Sequence, residues 1–297
     1  MWFKQAQIFQ LTNAIPFQSQ ALEDKLEPLA FRPCLPSFAS GHGWTSPQEQ
    51  EGAALVHAAN GYLLICMQLE EKVLPATVIR QELNERVSDI QTQQERKVSQ
   101  KEKRELKEEI IIAFLTRAFS KLSRVYGLID TKNDWLILDT TSASRIEKFL
   151  ALFKKSMGET TYQSIETKKV APELTQWVSQ GHAPKAFAID QSCVLRDPQQ
   201  QTRTVRCQHQ DLSVEAIQAF LADGFEVHQL LLNWQDKMTF TLVDDFTLKA
   251  IRYHEEVISL AKDSYSETEQ EQFDADFFIV TELLSELFAL LLKTFAR

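Results

Sequence analysis

Glu70-Glu71-Lys72-Val73-Leu74-Pro75 opens the stretch around which this chain is organised, and Arg117-Ala118-Phe119-Ser120 closes it. Between them Ile79, Leu83, Val87 and Ile90 recur at i, i+4, i+8 and i+11, one narrow apolar stripe of a helix. Pro75 suits the first turn, where its missing N–H costs nothing. Gln91–Lys107 holds almost no apolar residue and therefore predicts a segment that leaves the core. Leu106, Ile110, Ala113 and Phe114 restore a stripe. Two helices joined near Ser99 fit this pattern, and so does one bent helix. A long charged arm ending in apolar residues is odd for a compact enzyme and natural for a protein that reaches around a partner.

Working outward, Gly61–Leu69 is a continuous apolar run, the mark of a strand buried on both faces. Phe119–Asp130 and Trp135–Thr140 read as strands of a hairpin turning at Thr131-Lys132-Asn133-Asp134. Upstream, Trp2–Leu11 reads as a strand and Ser19–Leu29 as a helix, while three prolines and two glycines make Phe31–Pro47 a loop. Downstream, Ser142 or Ser144 caps a helix that runs to Met157 and stops at Gly158. Pro172–Ser179 is a short helix, Phe187–Leu195 and Thr202–Gln208 are strands, and Ser213–Ala222 is a helix with a serine cap. Glu226–Asn233, Lys237–Val243 and Thr247–Tyr253 form a meander. Phe273–Phe295 is the last helix, with Asp274 and Asp276 placed to cap its positive end.

Strands and helices in mixed order with short hairpins predict an α+β fold with antiparallel sheets. The expected protomer is elongated and multi-lobed: residues 1–75 and 117–180 a central α+β region, 76–116 a helical arm, 181–297 a carboxy-terminal α+β region.

The 297 residues carry a net charge of −9, which taken alone argues against nucleic acid. The charge is unevenly spread. Phe240–Arg297 has 12 acids and 5 bases, and Ile110–Lys155 has 8 bases against 4 acids. A basic surface away from the carboxy terminus is compatible with the total. Cys34, Cys66, Cys193 and Cys207 show no CxxC spacing and read as reduced buried thiols of a cytosolic protein. The most apolar run, Phe277–Leu292, is short and interrupted by Glu282 and Glu286, so no membrane span is expected.

No motif with a catalytic mechanism is present. The six histidines never pair at i+3 or i+4, and there is no HExxH, GxxxxGK[ST], GxGxxG or GxSxG. No cofactor and no metal are expected. Cationic clusters are more informative. Taken as one helix over Glu95–Ile110, Lys97, Lys101 and Arg104 share a stripe that could act as a rail for phosphates. The same segment also suits a solvated helix laced by i,i+4 pairs worth ~0.3 kcal/mol each. Arg117 and Lys121 flank Phe119, which could be core, a stacking platform for bases or a protein contact. Arg196, Arg203, Arg206 and His209, with Gln210 beside them, form a second cluster between a strand and a helix.

Several of these stretches together resemble the RdgC family of recombination-associated proteins. They are Trp2-Phe3-Lys4, Ala59-Asn60-Gly61, Glu70 through Pro75 with Val78-Ile79, Arg117-Ala118-Phe119-Ser120, Ile129-Asp130-Thr131, Asp197 through Gln210-Asp211-Leu212, and Phe273-Asp274-Ala275-Asp276-Phe277. The likeness runs nearly end to end; Gln91–Lys107 and Glu159–Thr204 match in character more than identity. It implies a homodimer closed into a ring around double-stranded DNA, held without sequence preference by a positive inner wall. It also implies a cytoplasmic, nucleoid-associated protein that limits access of the RecA recombinase to DNA and is not an enzyme. By this resemblance Phe119 is a dimer contact, and His209 and Gln210 match a basic–Gln pair on a DNA-binding finger. Histidine at that basic position is largely neutral near pH 7 if its pKa is ordinary, which leaves Arg203 and Arg206 to supply charge. The expected DNA contacts are therefore Lys97, Lys101, Arg104, Arg117, Lys121, Arg203, Arg206, His209 and Gln210. The alternative is a protein-interaction factor whose arm, Pro75–Leu115, docks on a recombinase or replisome component.

Overall fold

A computed structural model of the chain describes residues 1–12, 18–48, 50, 52–158, 162–263 and 268–296. Its elements, in order, are β1 (Gln7–Leu11), α1 (Ser19–Leu26), β2 (Ser40–Thr45), β3 (Val56–Ala59), β4 (Tyr62–Lys72), α2 (Ala76–Gln94), α3 (Gln100–Leu115), β5 (Ser120–Asp130), β6 (Trp135–Leu138) and α4 (Ala143–Met157). They continue with β7 (Tyr162–Ser164), α5 (Val170–Gln180), β8 (Phe187–Arg196), β9 (Thr204–Gln208), α6 (Glu215–Ala222), β10 (Glu226–Trp234), β11 (Met238–Val243), β12 (Leu248–Tyr253), α7 (Glu255–Asp263) and α8 (Glu269–Thr294). The protein is mixed α and β with antiparallel sheets, as expected.

The first sheet runs β2–β4–β5–β6–β1–β7, with β3 lying beside β2 along the same side of β4. β4 explains its own composition. Its odd residues, Leu63, Ile65, Met67 and Leu69, pack with α1 and α4 in one core, against Leu22, Leu26, Phe149 and Phe153. Its even residues, Tyr62 and Leu64, belong to a second core with α5, α8 and the second sheet. A strand covered on both faces has no solvent side to mark with polar residues. Gly127 on β5 serves the first core: a Cβ there would sit 2.3 Å from Phe149 Cζ. Glycine leaves room for the tip of that ring against the strand.

The second sheet runs β12–β11–β10–β8–β9. Helix α8 serves both sheets. Phe277, Val280, Leu284, Leu287, Phe288 and Leu291 recur at helical spacing and are buried. Each such side chain contributes about 1.5–3 kcal/mol of transfer free energy. From neighbouring positions, Ser285 donates to Asp130 at the end of β5 (2.7 Å) and Glu286 accepts from Lys237 beside β11 (2.8 Å). The amino-terminal segment completes the junction: Ala6 and Leu248 exchange two backbone hydrogen bonds of 2.9 Å, and Ile251 N–H donates to the Lys4 carbonyl at 2.8 Å.

The structure corrects several sequence expectations. The final helix begins at Glu269, where Thr268 and Glu271 form a reciprocal capping box. Asp274 and Asp276 lie in its second turn, so neither is a cap; Asp276 instead accepts from Gln272 Nε2 (2.9 Å) and the Met1 ammonium (2.7 Å). Residues 31–47 are not all loop. β2 forms there because Gly43 admits the chain at close range: a Cβ would lie 2.6 Å from Phe31 Cα and 2.9 Å from the Leu29 carbonyl oxygen. The serine caps are absent, since neither Ser142 nor the residue before α6 (Val214) makes a side-chain cap bond. The strands β3 and β7 and helix α7 had no counterpart in the sequence reading.

The arm is a helical hairpin. Glu95 ends α2 in the left-handed region (φ 47°), and Ser99 begins α3 by accepting from the Glu102 N–H at 3.2 Å. The single helix over Glu95–Ile110 therefore does not exist. The break was legible as Ser99-Gln100-Lys101-Glu102, the S-x-x-E pattern of a helix start. The Glu102 carboxylate is taken by Arg96 in a bidentate pair (2.8 and 2.6 Å) that ties the linker to α3.

Candidate nucleic-acid interface

The nine expected DNA contacts fall into three groups. Lys97, Lys101 and Arg104 are on the arm. Lys97 lies in the linker between the helices and not in a stripe with the other two. Lys101 is exposed and stands 3.9 Å from Glu105. With Arg96–Glu102 and Arg86–Glu82 (2.8 Å) also paired, the arm largely neutralises itself. Such exposed pairs contribute ~0–1 kcal/mol each, so they balance charge more than they stabilise.

Arg117 and Lys121 stand at the root of the arm, both exposed, on either side of Phe119. Phe119 is 87% exposed, which excludes the core reading within a protomer. Leu122, Val73 and Phe38 are also exposed. Their backbones converge: the Val73 N–H donates to the Phe119 carbonyl, and the Lys72 N–H to the Ala39 carbonyl, both at 2.8 Å. Nearby, the Ser120 hydroxyl and the Cys34 N–H (2.6 Å) both bond the Glu70 carboxylate, which holds its pKa below the usual range. An apolar surface at one end of the sheet is thus mounted on a tied frame.

Arg203, Arg206, His209 and Gln210 lie on and around β9, the edge of the second sheet. Arg203 is committed: it donates to Asp197 at 2.8 Å and stacks over the Phe225 ring at 5.2 Å. Asp197, which also accepts from the Gln199 and Gln200 N–H groups, is held below the ordinary aspartate range. Arg206 is exposed and has no ion pair among the described residues. His209 turns the chain out of β9 in the left-handed region (φ 54°), and the Gln210 N–H bonds the Gln191 carbonyl at 3.3 Å. Arg196 lies across from Glu226 and Thr204.

β9 alternates cleanly. Cys207 is buried opposite Cys193, while Thr204, Arg206 and Gln208 face outward. None of the four cysteines is in a disulfide, and Cys34 is only half-buried. Burial and the neighbouring Cys207 push the Cys193 thiol up to about 12, so that pair is inert packing.

Two cations on this outward face were missed in the sequence. Val194, paired with Arg206, is also paired with Gln229 of β10. Further along, Thr241 pairs with Lys249, and Thr239 with Arg252. Residues three apart on a strand ordinarily point to opposite faces. Here a bulge at Ala250 (φ 50°) shifts the parity, and Lys249 and Arg252 face the same way. The acid-rich carboxy-terminal composition hid them, and only the register reveals them.

The outward face of the second sheet therefore has a centre that mixes polar and apolar side chains (Gln229, Asn233, Thr239 and Thr241 with Val194 and Leu231), Glu226 set across from Arg196 at one end, and cations at both edges. Strands lie about 4.8 Å apart, so the edges are about 19 Å apart. That is too far to grip one phosphate and suited to separate ones. A shallow depression of about 180 Å³ opens between Arg206, Gln208, Gln229 and Thr241. Among the described residues no group of three or more His, Cys, Asp or Glu side chains could hold a metal ion, and no helix is long and apolar enough to cross a membrane.

The fold defines a class: mixed α and β proteins of two antiparallel sheets sharing one long carboxy-terminal helix, with a helical hairpin standing off the first sheet. Within that class the chain belongs to the RdgC family, whose description, "Putative exonuclease, RdgC", matches residues 1–297. It is 36% identical over 288 residues to the recombination-associated protein RdgC of Aeromonas hydrophila, covering 96% of this chain and 95% of that one. It is 37% identical over 295 residues to that of Pseudomonas entomophila, covering 97% and 96%.

Proposed function

We propose that this protein binds double-stranded DNA without sequence preference, as a homodimer closed into a ring, and modulates RecA-dependent recombination and replication on the nucleoid in the cytoplasm. The observation that carries the DNA reading is the outward face of the second sheet. A chain of net charge −9 collects Arg206, Lys249 and Arg252 at the edges of one sheet face whose centre between them is uncharged. Cations there meet phosphates, and phosphates carry no sequence. The recombination setting comes from the names of the relatives. The dimer reading rests on Phe119, since a ring 87% exposed beside other exposed apolar residues is what an association surface requires.

The family description favours a second reading, nuclease activity. Cleavage of phosphodiesters by metal-dependent nucleases needs carboxylates that converge on an ion, and no such group stands among the described residues. Our reading remains binding without cleavage, and the nuclease reading is put to its own test below. A further reading, carried from the sequence, is that the arm Pro75–Leu115 docks a recombinase or replisome component.

Filter binding of a labelled duplex across a salt series tests the main reading. Affinity should fall steeply with salt, by about 0.9 in log–log slope for each phosphate neutralised. Salt-independent binding, or none at low salt, would sink it. The same duplex incubated with magnesium or manganese tests for cleavage, and a ladder of shortened products would favour the nuclease.

A further inference from the structure

A second cationic site lies far in sequence from the first. Segment 28–32 is laid along β2, where Ala30 bridges Trp44 and the Phe31 N–H donates to the Trp44 carbonyl at 2.7 Å. Gly43 makes this approach possible, as described above. On the other side, α4 is pinned to the same strand. Trp44 Nε1 donates to Ser156 Oγ at 2.7 Å, and its indole packs edge-on against Phe149 (5.2 Å between centroids). Between these walls is a cleft of about 500 Å³ lined by Pro28, Leu29, Arg32, His42, Leu152 and Lys155, together with Ala30, Gly41 and Ala151.

Three features of the cleft point to an anion. Its lining contains three nitrogen bases, Arg32, His42 and Lys155, and no carboxylate. Neither Arg32 nor Lys155 has an ion-pair partner among the described residues. Lys148 adds a third positive group two helical turns before Lys155, though it stands 3.4 Å from Glu71. Both Lys154 and Lys155 suit the negative end of α4, so dipole compensation alone would explain either. Only Lys155 lines the cleft. The potential is felt by His42, whose pKa is lowered by burial and then by the Lys148 and Lys155 charges. The same lysine charges that disfavour a proton on His42 favour an anion in the cleft.

We propose that this cleft between segment 28–32, β2 and α4 is a binding site for a phosphate group, with Arg32 and Lys155 as its charged donors. The guanidinium suits two oxygens of one phosphate, and the ammonium supplies a point charge from the opposite wall. The phosphate is a phosphodiester of DNA or a free phosphate. Its assignment to DNA rests on the function proposed above, whereas the cleft itself does not.

The test follows the histidine resonances of the full-length protein by NMR, with His42→Gln assigning the signal from His42. Titrations are run with inorganic phosphate, with a short duplex and without either. An anion seated in the cleft raises the pKa of His42, and Arg32→Ala with Lys155→Ala removes the rise. Both substituted side chains are exposed, and far-UV circular dichroism verifies the fold. A rise with duplex, accompanied by weaker duplex retention in the double variant, assigns the site to DNA; if both side chains touch phosphates the salt slope falls by about 1.8. A rise with inorganic phosphate alone assigns it to a free phosphate. No rise with either overturns the site. Failure of the wild type to retain duplex at low salt, with His42 still responding to phosphate, overturns the DNA function and leaves the cleft standing.

Discussion

The Phe119 carbonyl accepts a 2.8 Å hydrogen bond from the Val73 N–H, so the two strands that enter and leave the arm are tied together beneath the most exposed large apolar side chain of the described residues. The ring projects from backbone that is already ordered. Little conformational freedom is lost when a partner covers it, the condition under which an aromatic anchor contributes most to association. Phe119→Ala should weaken self-association by about 2 kcal/mol, roughly thirty-fold in dissociation constant. It should leave the melting temperature of the protomer unchanged, since the side chain is almost wholly in solvent within its own chain. Sedimentation equilibrium measures the first and calorimetry the second. Self-association that is unchanged in the variant, or absent in the wild type, overturns the role of Phe119 as a dimer contact.

The two cationic faces make different predictions. Arg206→Glu, or Lys249→Glu with Arg252→Glu, should weaken duplex binding and flatten its salt slope, by about 0.9 or more for each phosphate that is no longer neutralised. Charge reversal at Lys97, Lys101 and Arg104 should change DNA affinity much less, because the arm as a whole balances its charges and Lys101 already stands beside Glu105. If the arm variant loses duplex binding and the sheet variants keep it, the interface lies on the arm.

Gly127 is required by Phe149. A methyl group 2.3 Å from the ring edge must displace an aromatic side chain that is itself fully buried. Gly127→Ala is expected to destabilise the fold by about 1–3 kcal/mol, read as a lower urea midpoint with an unchanged m-value. A variant as stable as the wild type would mean that α4 can shift without cost.

Asp139 gives the stability a distinctive pH dependence. Its carboxylate accepts from the Tyr126 N–H at 2.8 Å, yet burial raises its pKa from 3.8 to about 7. The folded state therefore holds a proton that the unfolded chain releases above pH 4. The stabilising contribution is full at low pH, declines as pH rises from about 4 to about 7, and is constant above that. His57 acts oppositely. Burial between Phe273 and Phe277 lowers its pKa, so its contribution is lost as pH falls below the ordinary histidine value. The two are separated by comparing wild type with Asp139→Asn. The variant should gain stability relative to wild type between pH 5 and pH 8, by urea denaturation. A constant difference across that range would rule out titration of Asp139.

Much of the architecture was written in local patterns. β4 announced itself as an unbroken apolar run, β5 and β6 as a hairpin, and α8 by its helical spacing of large side chains. What failed was whatever depended on partners distant in sequence. β2 is glycine-rich and looked like loop because the reason for its glycine lies in the approach of Phe31. The arm left two readings open, and the structure takes the two helices joined near Ser99; only the charge stripe drawn through Glu95–Ile110 as one helix fails. The site was harder still. Arg206, His209 and Gln210 are expected at a DNA contact from composition and family likeness. Lys249 and Arg252 join them only because a bulge at Ala250 reverses a parity that no local rule anticipates.

One junction also sets a schedule. Thr247 Oγ1 donates to Gln7 Oε1 at 3.0 Å across 240 residues, beside the paired Ala6 and Leu248. At roughly 5–20 residues per second, the ribosome delivers the second partner about 12 to 48 seconds after the first. Throughout that interval the amino-terminal strand has no carboxy-terminal sheet to meet, and α8, which buries the shared face, arrives last of all. A nascent chain of this protein leaves the exit tunnel with its central sheet half-covered, and an arrested or truncated product would display that apolar face to chaperones and proteases.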